Sequence, residues 1–156
     1  MALTDLISAA AIIPALRANT KKTALQDMSE RAATVSGLPA RDIYDAVLQR
    51  EKLGSTGVGK GVAIPHGKLA ACGKIFGVFA RLERPIEFDA LDGEPVDLAF
   101  LLVAPESAGA DHLKALAKIA RVLREPHVTT KLRAARDAAS IYAIIMSDDL
   151  AASHAA

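Results

Sequence analysis

Residues 96–104, VDLAFLLVA, form an almost unbroken apolar run in the second half of the chain. A strand with one face in water alternates apolar and polar residues, whereas a strand covered on both faces reads as a continuous apolar run. The run therefore predicts a central strand that is buried on both sides. Helices packed against a sheet can supply that cover, so this segment constrains the chain to a layered α/β arrangement.

The other apolar patterns supply further strands and the helices that cover them. Strands are predicted over residues 62–64 and 74–82, with a short extended piece at 11–13 and a loop at 85–93. Helical spacing, with Gly and Pro boundaries, predicts helices over residues 20–36, 39–53 and 111–124, a short one from Pro126, and a last one at 140–146. The predicted fold class is α/β, with a small mixed β-sheet sandwiched between helices.

Length and composition limit the classes of protein to consider. The 156 residues suffice for one domain with its own core, assigned to residues 1–150 and followed by a flexible tail at 151–156. A formal net charge of +1 offers no basic face for a nucleic acid. The one cysteine, Cys72, excludes an internal disulfide and suits a reducing compartment. No signal peptide or membrane-spanning run is recognisable, so we expect a cytoplasmic protein without membrane insertion.

The segment at residues 54–68, GSTGVGKGVAIPHGK, contains the strongest candidate for a reacting group. The apolar residues 62–64 lead into Pro65, which fixes its own φ, and His66 follows. Gly67 then permits a sharp turn or the close approach of a ligand. An imidazole held rigidly at a strand end is placed to react, and neutral imidazole is a nucleophile near physiological pH. An inert histidine in a surface loop is the plainer alternative.

The surroundings of His66 favour an anion. The nearby glycines and cations are Gly54, Gly57, Gly59, Gly61, Arg50, Lys52, Lys60 and Lys68. Close backbone approach and positive charge together suit a phosphate. Residues 54–60 nearly match a nucleotide-binding P-loop, but Gly61 stands where Ser or Thr should bind magnesium, and a predicted helix precedes the glycines instead of a strand. Nucleotide binding at this segment is therefore rejected.

A second histidine, His112, lies in the first turn of the helix predicted over residues 111–124. Backbone N–H groups at a helix start and the helix dipole favour anions. The preceding loop leaves the 96–104 strand, and strand ends are where sites collect in open α/β sheets. If the strand leading to His66 is its neighbour, the two histidines converge; a surface histidine is the plainer alternative. The apolar face of this helix is predicted to hold Leu113, Leu116, Ala117, Ala120 and Leu123.

These motifs occur together in one known family. Glu51, Val58, Gly59 and residues 62–67 resemble the signature of the mannitol/fructose-type (type 2) enzyme IIA domains of the bacterial phosphotransferase system. The nitrogen-regulatory branch of that family is more similar still. The segments that carry this closer resemblance are residues 50–59, 65–68, 79–82, 88–90, 95–102 and 109–114. The resemblance covers residues 3–147 and implies an α/β sandwich with a small mixed sheet, in agreement with the pattern prediction.

The resemblance also implies a role for each candidate residue. His66 matches the residue that accepts a phosphoryl group on the ring nitrogen farther from the main chain, while a backbone acceptor holds the other nitrogen. His112 matches the second active-site histidine, and Arg50 matches the arginine that steadies the phosphoryl group. The rest of the phosphate site is assigned to Ser55, Thr56, Gly57, Gly59 and Gly67. Neither a cofactor nor a metal is implied.

The implied donor is a phosphorylated HPr-like carrier, called NPr in this branch. One function is a phosphotransferase component acting as a regulatory switch, whose phosphorylation state alters its binding to targets such as kinases or potassium transport systems. The alternative is a sugar-specific IIA that passes phosphate to a IIB permease component, and a third is a non-phosphorylated anion-binding module. The closer resemblance to the nitrogen branch favours the switch. We expect the carrier to dock around His66, with Lys60, Lys68 and Lys114 on the rim of the contact.

Overall fold

The computed structural model describes residues 2–155, with the side chains of residues 2–148. Within this range the chain forms two short 3-10 turns, Leu3–Asp5 and Ala9–Ala11. The strands are β1 (Ile12–Leu16), β2 (Gly57–Gly59), β3 (Val62–Ala63), β4 (His66–Leu69), β5 (Phe76–Ile86) and β6 (Val96–Pro105). The helices are α1 (Lys21–Ser36), α2 (Ala40–Leu53), α3 (Ala110–Arg124), α4 (Pro126–Ala134) and α5 (Ala138–Ala155).

The apolar run forms β6 at the centre of one mixed sheet, as its sequence predicts. β5 lies antiparallel to β6, and β1 lies parallel to β5 at that edge. On the other side of β6, both β3 and β4 pair with it in parallel, and β2 forms the far edge through an antiparallel pairing with β3. Residues 98–104 are buried, and Phe100 packs edge-to-face on Phe79 with ring centroids 6.4 Å apart.

Helices pack against this sheet, which confirms the predicted fold class. Helix α1 contacts β5 and helix α2 contacts β4. Helix α3 contacts β6, and helix α5 contacts β1. Local signals set the helix ends close to the predicted positions. Thr20 accepts a hydrogen bond from the Thr23 backbone N–H at 3.1 Å, and Gly37 ends α1 with a φ of 79°. Pro126 is the first residue of α4.

The strand predictions need three corrections. The apolar pattern did not predict β2 or β4, which hold three and four residues. The β4 sequence HGKL has no apolar alternation, and its extended form comes from pairing with β6, from His66 opposite Leu102 to Leu69 opposite Pro105. Pro85 and Ile86 were predicted to begin a loop, but they end β5, where the pairing with β6 becomes irregular after Arg81.

The buried face of α3 differs in part from the predicted one, because Leu123 is buried and Leu116 and Ala120 pack on the core while half-buried. Leu113 is 68% exposed and Ala117 is exposed, whereas the buried residues are His112, Ala115, Ile119, Val122 and Leu123. The helix carries two apolar rows that lie one position apart, so periodicity alone does not select the row that faces the core. The consequence for function is direct, since His112 lies on the buried row and Leu113 faces solvent.

The last helix is longer than predicted. It runs from Ala138 to Ala155, beyond the predicted range 140–146. The flexible tail at 151–156 stays a prediction, because the side chains of residues 149–156 and the whole of residue 156 lie outside what the structure describes. Among residues 2–155, no helix combines the length and the hydrophobicity that a bilayer crossing requires.

Candidate active site

His66 is placed by the pairing of β4 with the central strand. The chain leaves β3 at Ala63, passes Ile64 and Pro65, and resumes extended pairing at His66. The Pro65 carbonyl accepts a hydrogen bond from the Leu102 backbone N–H at 2.9 Å, which fixes the segment immediately before the histidine. His66 therefore lies on a short strand that is paired with the buried central strand β6, and we expect its backbone to move little.

A glycine after His66 allows helix α2 to pack closely on β4. A Cβ added at Gly67 would lie 3.1 Å from the backbone of Ala46 and Val47. That distance is shorter than an ordinary van der Waals contact, so a side chain here would push the strand and the helix apart. The close packing brings the C-terminal turn of α2, which contains Arg50, to the same cavity as His66.

The His66 ring has one nitrogen bound and one available. Its Nδ1–H donates to the Ile64 carbonyl at 2.9 Å, which leaves the lone pair on Nε2. Burial lowers the pKa of His66, and the positive charges of Arg50 and Lys68 lower it further; the bond to Ile64 and the charge of Glu51 oppose these effects. The neutral, nucleophilic form of the ring is therefore favoured at neutral pH.

His112 lies beside His66, as the sequence analysis anticipated. The two ring centroids are 5.4 Å apart with an interplanar angle of 72°. His112 is only 4% exposed, and its Nδ1 has no hydrogen-bond partner in the described part of the chain. Burial, followed by the charges of His66 and Lys68, lowers the pKa of His112 to about 4. A neutral ring with an unpartnered nitrogen can donate or accept a hydrogen bond at this position.

Arg50 completes the cluster. Its Nη1 donates to the Gly54 carbonyl at 2.7 Å, across the end of α2. Arg50, His66, Gly67, Lys68 and His112 all line one cavity of about 590 Å³. The same cavity is bordered by two solvent-exposed leucines, Leu53 and Leu113. The site thus joins a nucleophile, a hydrogen-bonding ring and cations beneath an apolar rim.

Glu51 supports this site, although the sequence analysis noted it only as part of a motif. Its side chain is 2% exposed and forms an ion pair with Lys21, whose Nζ lies 2.6 Å from the Glu51 carboxylate. It also accepts hydrogen bonds from the Thr56 backbone N–H at 3.1 and 3.2 Å, and one from the Thr56 hydroxyl. A buried carboxylate satisfied in this way joins α1, α2 and the loop that follows α2. The signal in the sequence was an acidic residue among buried helix positions next to Arg50.

The loop residues assigned to phosphate binding are largely engaged elsewhere. Ser55 donates its hydroxyl to the Phe88 carbonyl at 2.8 Å, and the Gly57 N–H donates to Ser55 Oγ at 3.0 Å. Thr56 is bound to Glu51, and Gly59 lies beside Asp92, facing a different cavity. Of the five assigned residues, Gly67 alone lines the cavity that contains His66. Phosphate binding by the other four stays a prediction.

Lys60 lies apart from His66, contrary to its predicted place on the rim of the docking surface. It lines a second cavity together with Asp92 and Arg133. The physical reason is the β2–β3 hairpin, which carries residues 59–61 away before the chain returns as β4. The same hairpin supports the rejection of a P-loop, because helix α2 precedes the glycines and strand β2 follows them.

Fold and cavity together define a small α/β domain that presents a pair of histidines at the edge of its sheet. Residues 5–148 match the family model described as "Phosphoenolpyruvate-dependent sugar phosphotransferase system, EIIA 2". The chain therefore belongs to the EIIA 2 family of the phosphotransferase system.

Relatives within this family are similar over most of the chain. A nitrogen regulatory protein of Bradyrhizobium diazoefficiens is 59% identical over 145 residues, which cover 93% of this chain and 95% of that protein. A nitrogen regulatory protein of Escherichia coli is 46% identical over 127 residues, covering 81% of this chain and 78% of that protein. The crystal structure of the nitrogen regulatory protein IIA-Ntr from Neisseria meningitidis has a TM-score of 0.87 at 34% identity, covering 92% of this chain and 98% of that one.

Proposed function

We propose that the protein is a nitrogen-regulatory IIA component that accepts a phosphoryl group on His66 Nε2 from a phosphorylated HPr-like carrier, NPr. The observation that carries the proposal is the bond from His66 Nδ1 to the Ile64 carbonyl, which leaves Nε2 nucleophilic in a cavity shared with His112 and Arg50. Similarity to nitrogen regulatory proteins, one of which is 59% identical, supports the regulatory assignment. We place this function in the cytoplasm, where a soluble carrier can reach the site.

The transfer needs positioning and charge stabilisation rather than covalent help from other residues. The lone pair of His66 Nε2 forms a bond to phosphorus as the nitrogen–phosphorus bond of the donor histidine breaks, and the electrons of that bond remain on the donor nitrogen. The positive charge that then forms on the His66 ring is stabilised by the Ile64 carbonyl, which accepts the hydrogen bond from Nδ1.

His112 and Arg50 would stabilise the oxygens of the transferred group. Arg50 provides a planar set of donors that can bind two phosphoryl oxygens. His112 lines the same cavity, and its neutral ring has an N–H group that can donate a hydrogen bond. Lys68 lines the same cavity and adds a positive charge. These groups line one cavity before the donor arrives, so their charges and donors are already close to the position of the transferred group.

Phosphorylation would then act as a switch. A phosphoryl group adds about −1.5 to −2 charges near pH 7, in a cavity whose apolar rim contains Leu53 and Leu113. A partner that covers these leucines in the unmodified protein would meet a buried anion in the modified one. Such a change in charge is sufficient to separate two sets of partners without a change of fold.

Incubation with phosphorylated carrier, followed by intact mass and acid treatment, tests the assignment. We expect one acid-labile phosphate, absent in His66→Ala and retained in His127→Ala, since His127 lies on α4 outside this cavity. An acid-stable phosphate on Ser55 or Thr56 would contradict the proposal. Addition of a IIB protein separates the switch from the sugar-specific alternative, because only the latter should pass the phosphate on rapidly.

A further inference from the structure

A second cavity lies towards the other end of α3, and the proposed phosphoryl transfer does not use it. Its volume is about 720 Å³, and it shares no lining residue with the His66 cavity. His112 lines the His66 cavity and Leu123 lines the second one, and these two residues are about 16 Å apart along the axis of α3. The β2–β3 hairpin, the loop around Leu91, the end of α3 and helix α4 form its walls.

Lys60 is held beside this cavity in a conformation that lysine rarely adopts. Its φ is +56°, in the left-handed region. The Asp92 carboxylate accepts its backbone N–H at 2.9 Å, and Arg133 Nη2 donates to its carbonyl at 2.9 Å. Arg133 is fixed in turn by Asp97, which accepts from Nε at 2.9 and 3.1 Å. A two-residue hairpin loop between β2 and β3 requires a positive φ at both Lys60 and Gly61, so the turn and these hydrogen bonds fix the backbone that carries the Lys60 side chain.

The charged side chains that line the cavity carry a net positive charge. Lys60, Arg124 and Arg133 are set against the Asp92 carboxylate, which accepts only the backbone N–H groups of Lys60 and Glu94, and Arg133 is paired with Asp97. Lys60 and Arg124 are exposed, and neither takes part in an ion pair within the described residues. An occupant that complements this cavity therefore carries negative charge.

The cavity also has apolar surface that a small anion would not need. Val58 is 53% exposed and Leu91 is 84% exposed, although both line a concave site. Val62 and Leu123, which are buried, add further apolar surface. Large aliphatic side chains left in water around a concavity are typical of a contact with another protein. The combination favours an acidic segment with an aliphatic anchor over a small charged molecule.

We propose that this cavity, lined by Val58, Lys60, Leu91, Arg124 and Arg133, is a docking site for an acidic peptide segment of a partner protein. An aliphatic side chain of the segment enters the cavity, and its carboxylates lie against Lys60 and Arg124. Docking here leaves the His66 cavity open, so a bound partner does not block the phosphoryl carrier. This proposal does not depend on the proposed phosphoryl transfer, so either one can be refuted without affecting the other.

Amide chemical-shift titration of the full chain with a defined peptide tests the proposal. The probe is a short synthetic peptide of glutamates interrupted by two leucines, and its control has lysines in place of the glutamates. We expect the acidic peptide to shift the amides of Val58, Lys60 and Leu91, and the lysine peptide to leave them unmoved. Lys60→Glu/Arg124→Glu should raise the dissociation constant about tenfold or more. Arg41→Glu/Lys74→Glu has the same net charge and should change it less than about twofold.

A second variant separates binding from folding. Lys60→Gly removes the ammonium group and relieves the left-handed strain, so the thermal midpoint should not fall while peptide binding weakens. Phosphoryl transfer from the carrier should be unchanged in Lys60→Gly. The proposal is overturned by an absence of shifts, by shifts centred on His66, or by an unchanged affinity in the double variant. Equal shifts with inorganic phosphate alone would overturn it in favour of a small-anion site.

Discussion

Single residues determine the charge state of the cavity. Both of its histidines are neutral at neutral pH, because burial is the largest cause of the lowered pKa of each. Two protonated rings 5.4 Å apart would repel each other and would leave no lone pair for attack. The same burial that protects the nucleophile makes the fold sensitive to acid.

The lowered pKa of His112 predicts a loss of stability in mild acid. Its pKa is about 4 in the folded chain, against 6.5 for the ordinary side chain. Between these values the unfolded chain binds more protons, so the free energy of unfolding falls as the pH drops from above 6.5 towards 4. We expect a decrease on the order of 2 kcal/mol between pH 7.5 and pH 5 in urea denaturation. His112→Gln, which cannot titrate, should show a smaller decrease; an identical decrease would contradict this origin.

The donor role proposed for His112 predicts slow transfer without loss of fold in a variant that lacks the ring. In His112→Ala the far-ultraviolet circular dichroism should be unchanged, while the rate of phosphorylation by the carrier falls about 10- to 1000-fold, as when one donor to a developing anion is removed. Rapid-quench measurement of the phosphorylated fraction gives the rate. A wild-type rate in this variant would return His112 to a structural role.

Substitutions of Arg50 are expected to give a graded series of phosphoryl transfer rates. Arg50→Lys keeps the charge but loses the planar donors, so transfer should be slower than in the wild type and faster than in Arg50→Ala. Both variants lack the Nη1 group that donates to the Gly54 carbonyl. Amide exchange over residues 51–56 should therefore increase in both, and Arg41→Ala, on the first turn of the same helix, is the control. Equal transfer rates in the wild type, Arg50→Lys, Arg50→Ala and Arg41→Ala would exclude a role for the Arg50 guanidinium in transfer.

At the scale of elements, the sequence predicted those helix ends and strands that have a signal in their own residues. Thr20, Gly37 and Pro126 set helix ends through their own caps and dihedral angles, and β6 is evident from its apolar run. β4 has no such signal, because its four residues become a strand only through pairing with β6. The buried face of α3 was also not predictable, since its two apolar rows satisfy the same period and only the sheet selects between them.

The contact between β4 and α2 predicts an asymmetric pair of glycine variants. Gly67→Ala would bring a Cβ within 3.1 Å of Ala46 and Val47, so we expect a loss of about 1–3 kcal/mol in unfolding free energy. Gly73→Ala meets nothing within 4 Å and is the matched control. It should be neutral or slightly stabilising. Equal effects of the two substitutions in urea denaturation would show that the strand and helix separate without cost.

At the scale of the molecule, the site was predictable where one short segment defines it. His66 and Gly67 were selected from the segment itself, whereas the bond from Nδ1 to a backbone carbonyl and the role of Arg50 were predicted by resemblance. The positions of Ser55, Thr56 and Lys60 depend on distant partners: Phe88, Glu51, Asp92 and Arg133. Contacts between residues far apart in sequence leave no local pattern, and the loop was consequently assigned more of the site than its hydrogen bonds support.

The apolar rim predicts how the carrier approaches. Leu113 and Leu53 are exposed beside His66, and Lys114 follows Leu113 at the start of α3. Lys114→Glu should slow phosphorylation by the carrier, and added salt should reduce the difference from wild type, because a rim charge alters the association rate most. Lys74→Glu is the control for net charge. Chemical-shift mapping that places the carrier away from Leu113 would contradict this docking surface.

The hydrogen bond from Arg50 to the Gly54 carbonyl also ties the end of α2 to the loop that follows it. If a phosphoryl group draws the guanidinium towards itself, the carbonyl loses its partner, and the end of α2 is held by one bond fewer. The backbone between α2 and β2 then reports the state of His66 at a place where no phosphorus is present. A target protein could recognise the modified form by touching that loop alone, even with the histidine itself covered.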